Sequence, residues 1–168
     1  MKGKILQLDL DRKITFILDV DGVMTDGGFY YSSRRKMLKR FGPEDADALS
    51  LISKLVEVRF VSADKRGFSI TKRRINKDMG YRLDLVPASL RLGWIADRYE
   101  LRDVIYMGDS FRDIDILKTA GLGIAPGSAA LHVQQVSGYT THRHGGHGAV
   151  ADACFHIAGI FGVDLLQI

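Results

Sequence analysis

Residues 14–27 read Ile-Thr-Phe-Ile-Leu-Asp-Val-Asp-Gly-Val-Met-Thr-Asp-Gly, and the rest of the chain is parsed from this stretch. Its first seven residues are β-branched or apolar with little alternation, as expected of a strand buried on both faces. The run ends at Asp21-Gly22, a turn signal. The same grammar recurs at residues 56–62 (Val-Glu-Val-Arg-Phe-Val-Ser) and 104–109 (Val-Ile-Tyr-Met-Gly-Asp), with shorter versions at 83–86 and 121–125. Helical spacing fills the intervals. Leu49, Ile52, Leu55 and Val56 mark one face of a helix begun near Glu44; Trp94, Ile95 and Tyr99 precede the strand at 104–109, and Ile114, Leu117 and Lys118 follow it. Such alternation predicts right-handed βαβ units: an α/β, Rossmann-like three-layer sandwich with a mostly parallel sheet. Ligands in such sheets bind at strand carboxyl ends, near the reversal of strand order. Two acidic pairs stand at such ends, Asp19/Asp21 and Asp109/Asp113. Residues 27–41 break the pattern as two short strands around a polar turn, which predicts a hairpin flap beside the site. No repeat or linker divides the chain, so one domain over residues 1–168 is expected.

Composition narrows the function classes. The 168 residues are 46% hydrophobic and 26% charged, which excludes disorder, collagen and coiled coil. The net charge is +4, and the basic groups, such as Arg34-Arg35-Lys36 and Lys72-Arg73-Arg74, are short and scattered. That argues against a nucleic-acid partner and for solvated faces. The single cysteine, Cys154, excludes an intrachain disulfide and reads as an inert core thiol in a reducing compartment. No apolar run approaches the roughly 20 residues that span a bilayer. Residues 1–7 give way to acids too soon for a secretory leader, and a cytoplasmic protein without membrane contact is expected.

In residues 18–27 two carboxylates separated by one residue can both reach a site at the strand's end, because the chain leaves strand geometry between them. Gly22 permits a backbone conformation that a side chain would block. Asp19 is placed to attack phosphorus and to bind a hard cation; Asp21 is placed to protonate a leaving oxygen and then take a proton from water. A carboxylate approaching a phosphate dianion needs positive charge nearby, and Mg²⁺ on oxygen ligands is the natural answer. Asp109 can complete that cation site, and Asp113, one turn on, can orient Asp109 or a metal-bound water. Ser62 ends a third strand and offers a hydroxyl, with the backbone of Ala63, to a phosphate oxygen. Asp9 and Asp11 have the same spacing as Asp19 and Asp21 but no apolar strand before and no glycine after, and read as surface. Ser62, Asp109 and Asp113 also have a reading as plain helix caps. His142-Arg143-His144-Gly145-Gly146-His147 reads as a glycine-rich, partly exposed tail rather than a zinc site.

The order Asp19-Val20-Asp21-Gly22, Ser62, then Gly108-Asp109 with Asp113 resembles the haloacid dehalogenase superfamily of phosphohydrolases, over about residues 15–161. The short hairpin in place of a cap domain, and Gly145-Gly146-His147-Gly148-Ala149-Val150, are similar to the branch acting on octulosonate and nonulosonate phosphates. The resemblance implies Asp19 as nucleophile through an aspartyl-phosphate and Asp21 as general acid/base. It implies Mg²⁺ on Asp19, the Asp21 backbone carbonyl and Asp109, with Gly22, Ser62, Ala63, Asp45 and a cation contacting phosphate or substrate. The superfamily's lysine before the fourth strand is missing; Arg91 stands there, with Lys65 and Lys72 as other sources of charge. The branch forms homotetramers in which flap and C-terminal tail close a neighbour's site, a role implied here for residues 27–41 and 145–150. Glu44, Ser50 and Asp64 stand where octulosonate-phosphate enzymes carry arginines, a departure that predicts poor recognition of that substrate's carboxylate. The alternative is a catalytically weak oligomerisation or regulatory domain, which the missing lysine favours and the three carboxylates oppose.

Overall fold

Every residue of the first strand is buried, and the reason is its central place in the sheet. The computed structural model describes residues 8–168; the reading of residues 1–7 lies outside them. The strands are β1 Thr15–Asp19, β2 Tyr30–Tyr31, β3 Lys36–Leu38, β4 Glu57–Ser62, β5 Arg82–Leu85, β6 Val104–Met107, β7 Leu122–Ala125 and β8 Tyr139–Thr140. The helices are α1 Glu44–Ile52, α2 Phe68–Lys72, α3 Arg91–Ala96, α4 Ile114–Thr119, α5 Leu131–Gln134 and α6 Ala149–Ile160. Six strands form one parallel sheet in the order β5-β4-β1-β6-β7-β8. Chain order runs outward from β1 to β4 and β5, then returns to β6 on its other side. The switch point therefore lies between β1 and β6, where Asp19 and Asp109 emerge.

Side chains alternate between two apolar layers. Phe16, Leu18, Phe60, Ile105 and Met107 pack into one with Leu49, Ile52, Cys154 and Ile157 of α1 and α6. Ile17, Val61 and Tyr106 pack into the other with Ile95 and Leu117 of α3 and α4. Cover on both faces is why the strands read as unbroken apolar runs. Cys154 is buried, and burial pushes its thiol upward, as expected of a packing residue. Asp9 and Asp11 are exposed, as read. Among the described residues no helix is long and apolar enough to cross a membrane.

Three local expectations shift. The third long strand stops at Met107, so Gly108 and Asp109 lie in the loop that follows it. The first helix ends at Ile52, and Leu55 and Val56 continue as hydrogen-bonded turns. The two-residue β8 at the sheet edge went unread, because two residues carry no period. The flap is present as the antiparallel pair β2 and β3, closed at its base by a bridge between Thr25 and Phe41. Its polarity is inverted: Lys36 and Lys39 are buried while Tyr30, Tyr31 and Leu38 are exposed.

Candidate active site

After β1 the chain turns sharply, with the amides of Met24 and Thr25 both donating to the Val20 carbonyl. Gly22 sits in this turn at φ +86°, and a Cβ there would overlap the Asp109 carboxylate. Glycine is thus required twice, for conformation and for the close approach of the two acidic clusters. The turn, β4's exit and the loop after β6 enclose a cavity of about 350 Å³ lined by Asp19, Asp21, Phe29, Ala63, Arg91 and Asp109, among others.

Asp19 accepts the Val20 amide at 2.7 Å through Oδ1 and the Arg91 guanidinium at 2.8 Å through Oδ2. The same Arg91 nitrogen reaches Asp113 Oδ1 and the Tyr106 hydroxyl, each at 2.8 Å. Tyr106 donates to Asp113 Oδ1 at 2.7 Å, and Asp113 Oδ2 accepts the Ser110 amide in a capping box. Arg91, at the start of α3, is 1% exposed. It is a buried cation on Asp19, whereas Lys65 and Lys72 are exposed and do not line the cavity. Burial pushes the Asp19 carboxyl up and Arg91 pulls it back, leaving it at about 7. Burial and then the Asp113 charge push Asp109 up to about 6.

Asp21 makes a second cation-centred group. Its Oδ1 is 2.7 Å from Lys39 Nζ, which also meets Asp64 at 2.7 Å and the Thr71 hydroxyl at 2.8 Å. Lys36 Nζ adds a 2.6 Å pair to Asp64 and lies 3.3 Å from the Phe29 ring centroid. Sequence reasoning missed both lysines. Burial opposes ionisation of Asp64, but hydrogen bonds from Lys36 and Lys39 outweigh it and hold the carboxyl down at about 2. A folded-state value below the usual carboxylate range near 4 means that this pairing stabilises the fold above about pH 4 and is lost as pH falls through about 2. Thermal melts at pH 7, 5 and 3 test the sign. Asp64→Asn should lower the melting temperature equally at pH 7 and 5 and by clearly less at pH 3; an equal gap at all three removes the ion pair from the account.

Asp19, Asp109 and Asp113 place carboxylate oxygens within 4.8 Å of one another. Both oxygens of Asp19 and both of Asp113 carry protein hydrogen bonds, and Asp113 is the deeper of the two at 1% exposed. Around the cavity, the buried or half-buried carboxylates Asp19, Asp21, Asp64, Asp109 and Asp113 face three buried cations, Lys36, Lys39 and Arg91. The surplus of two negative charges is what one divalent cation on oxygen ligands neutralises.

The other expected contact residues have partners within the fold. The Gly22 amide donates to Thr25 Oγ1 at 3.1 Å, and the missing side chain makes room for Asp109. Ser62 is fully buried with its hydroxyl accepting the Asp64 amide, and it is Ala63 that lines the cavity. Asp45 is fully buried and accepts the Ala151 amide at 3.0 Å near the start of α6, a structural anchor away from the cavity lining. The stretch 142–147 is partly exposed, as read: His142, Arg143, His144 and His147 are exposed, and Gly145 and Gly146 are buried. The Gly146 amide donates to the Val23 carbonyl, and a Cβ on Gly145 would overlap the Gly22 carbonyl. His147 meets Arg40 at 2.7 Å.

Residues 48–153 match the model of the haloacid dehalogenase-like hydrolases. The chain belongs to this family. It is 29% identical over 143 residues to the 3-deoxy-D-manno-octulosonate 8-phosphate phosphatase of Salmonella typhi, covering 82% of this chain and 75% of that protein. The crystal structure of a probable YrbI family phosphatase from Pseudomonas syringae superposes with a TM-score of 0.80 at 26% identity, covering 89% of this chain and 87% of that one. The octulosonate phosphate phosphatase of Moraxella catarrhalis, solved with magnesium ion, phosphate ion and a KDO molecule, gives 0.77 at 25% identity over 88% and 86%. In this hydrolase the acidic clusters lie at the switch point of the parallel sheet.

Proposed function

We propose that this hydrolase is a Mg²⁺-dependent phosphomonoester phosphatase acting through an aspartyl-phosphate on a small phosphorylated sugar or sugar acid. One observation carries the reading: Asp19, fixed by Arg91 at the switch point, borders an open cavity together with Asp21 and Asp109. Asp19 attacks phosphorus while the bond to the leaving oxygen breaks, and Asp21 gives that oxygen its proton. Asp21 then takes a proton from water, the hydroxide attacks phosphorus, and the bond to Asp19 breaks to release phosphate. Arg91 keeps Asp19 oriented and offsets its charge as the dianion approaches. Mg²⁺ would be held by Asp19, the Asp21 backbone carbonyl and Asp109, and when bound it supplies the positive charge that offsets repulsion between carboxylate and phosphate.

The alternative of an inactive regulatory domain drew its support from the missing lysine, and the Arg91 contact to Asp19 supplies that charge. The substrate's own carboxylate has few partners here. Glu44 pairs with Arg143, the Ser50 hydroxyl donates to the Asp47 carbonyl, and Asp64 holds two lysines. Arg112 is the exposed cation among the described residues lining the cavity. Assembly as a homotetramer in the cytoplasm belongs to the same proposal: Tyr30, Tyr31 and Leu38 present an apolar flap surface that a second copy can cover. Light scattering checks the mass.

The deciding assay is phosphate release from an aryl phosphate and from sugar phosphates with and without a carboxylate. Mg²⁺ should restore activity that EDTA removes, and 3-deoxy-octulosonate 8-phosphate should be used poorly. Metal-independent hydrolysis sinks the cation site; efficient turnover of that octulosonate overturns the reading of Glu44, Ser50 and Asp64.

A further inference from the structure

Lys39 is an unusual residue to bury, since a lysine ammonium loses strong hydration unless all its donors are used. Its side chain is fully shielded, and three oxygens surround the ammonium: Asp21 Oδ1 and Asp64 Oδ2 as ion pairs at 2.7 Å each, and the Thr71 hydroxyl, which accepts a hydrogen bond at 2.8 Å. These lie on three separate segments, the turn after β1, the loop after β4, and α2, while Lys39 itself closes the flap. Asp21 Oδ1 is cut off from solvent by this contact, whereas Asp21 as a residue lines the cavity. One carboxylate oxygen is thus pinned, and Oδ2 is the oxygen left to exchange a proton with a bound phosphate ester.

We propose that Lys39 is a positioning residue that ties the flap to proton transfer by Asp21, so that protonation of the leaving oxygen depends on the docked hairpin. The proposal rests on the phosphatase reading and goes beyond it by assigning the flap's inner lysine a part in one bond-breaking event. In that event the P–O bond to the leaving group breaks, the electron pair stays with the oxygen, and the proton moves from Asp21 to it. Asp64, shared with Lys36, keeps the ammonium in place, and Thr71 fixes its third direction.

Leaving groups separate this role from plain support of the fold. A nitrophenolate departs without a proton, whereas a sugar alkoxide needs one. The quantity to compare is kcat/KM, which reports only steps through loss of the leaving group and not the later attack by water. Lys39→Met should lower kcat/KM for alkyl phosphates about 100-fold or more, with p-nitrophenyl phosphate changed by less than about 5-fold. Thr71→Val, which leaves every charge in place, should bias the two substrates in the same direction to a smaller extent, and it carries the test if Lys39→Met fails to fold. Equal losses on both substrates in a folded variant overturn the proposal, as does a Thr71→Val enzyme with an unchanged ratio. Failure of the phosphatase reading looks different: the unaltered protein would then hydrolyse neither compound.

Discussion

Replacing Arg91 with methionine is expected to lower the melting temperature by about 10 °C and to abolish phosphate hydrolysis. Arg91 is the largest fully buried side chain among the described residues, and one of its nitrogens serves Asp19, Asp113 and Tyr106 together. Methionine matches it in bulk but leaves two carboxylates 7% and 1% exposed with no cation beside them. Stranding one partner of a buried pair costs about 3–5 kcal/mol. For a chain of this length each kcal/mol is worth about 2–4 °C. Arg91→Lys keeps the charge and should regain most of the stability and part of the activity, because contacts made by a single nitrogen are within an ammonium's means. Differential scanning calorimetry and phosphate release give both numbers. A methionine variant as stable as the parent would mean that Asp19 and Asp113 do not depend on this cation.

Asp19→Asn should reduce kcat by at least about 10⁴-fold while leaving the fold intact. The amide is nearly isosteric, but its one oxygen can accept from only one of the Val20 amide and Arg91, so the packing around β1 keeps its shape at the cost of one hydrogen bond. What it cannot do is attack phosphorus. The loss is therefore chemical, and substrate binding measured by calorimetry should persist. Circular dichroism before the kinetic measurement separates this outcome from unfolding. Wild-type turnover by the asparagine variant would rule out the aspartyl-phosphate route.

The two variants probe parts of the site that were unequally legible in the sequence. Asp19, Asp21, Asp109 and Asp113 could be read because each follows its own strand within a few residues, and local pattern identifies strand ends. Arg91 was within reach for a similar reason, as the cation at the head of the helix before β6. Lys36 and Lys39 were not, although they make up two of the site's three buried cations. Their partners lie up to 32 residues away, and the contacts exist only once the hairpin docks. A signal was present in the flap's inverted polarity, since Met37-Leu38 between two lysines reads as buried when it is the lysines that face inward. Residues 142–147 are partly exposed as their composition suggests, but the contact made by Gly145 and Gly146 was not legible. Their missing side chains are what let one backbone lie against another.

That glycine contact carries a consequence for synthesis of the chain. The turn bearing Asp19 and Asp21 is made before the residues that back its outer surface, which lie more than 120 positions later. Both central neighbours of β1 must also arrive, the second of them at Val104. A nascent chain therefore holds this turn unsupported until those later residues emerge. The price of setting the reactive carboxylates at the centre of the sheet is that a shortened chain ending before Gly145 would keep every catalytic aspartate and lose the shape that aims them.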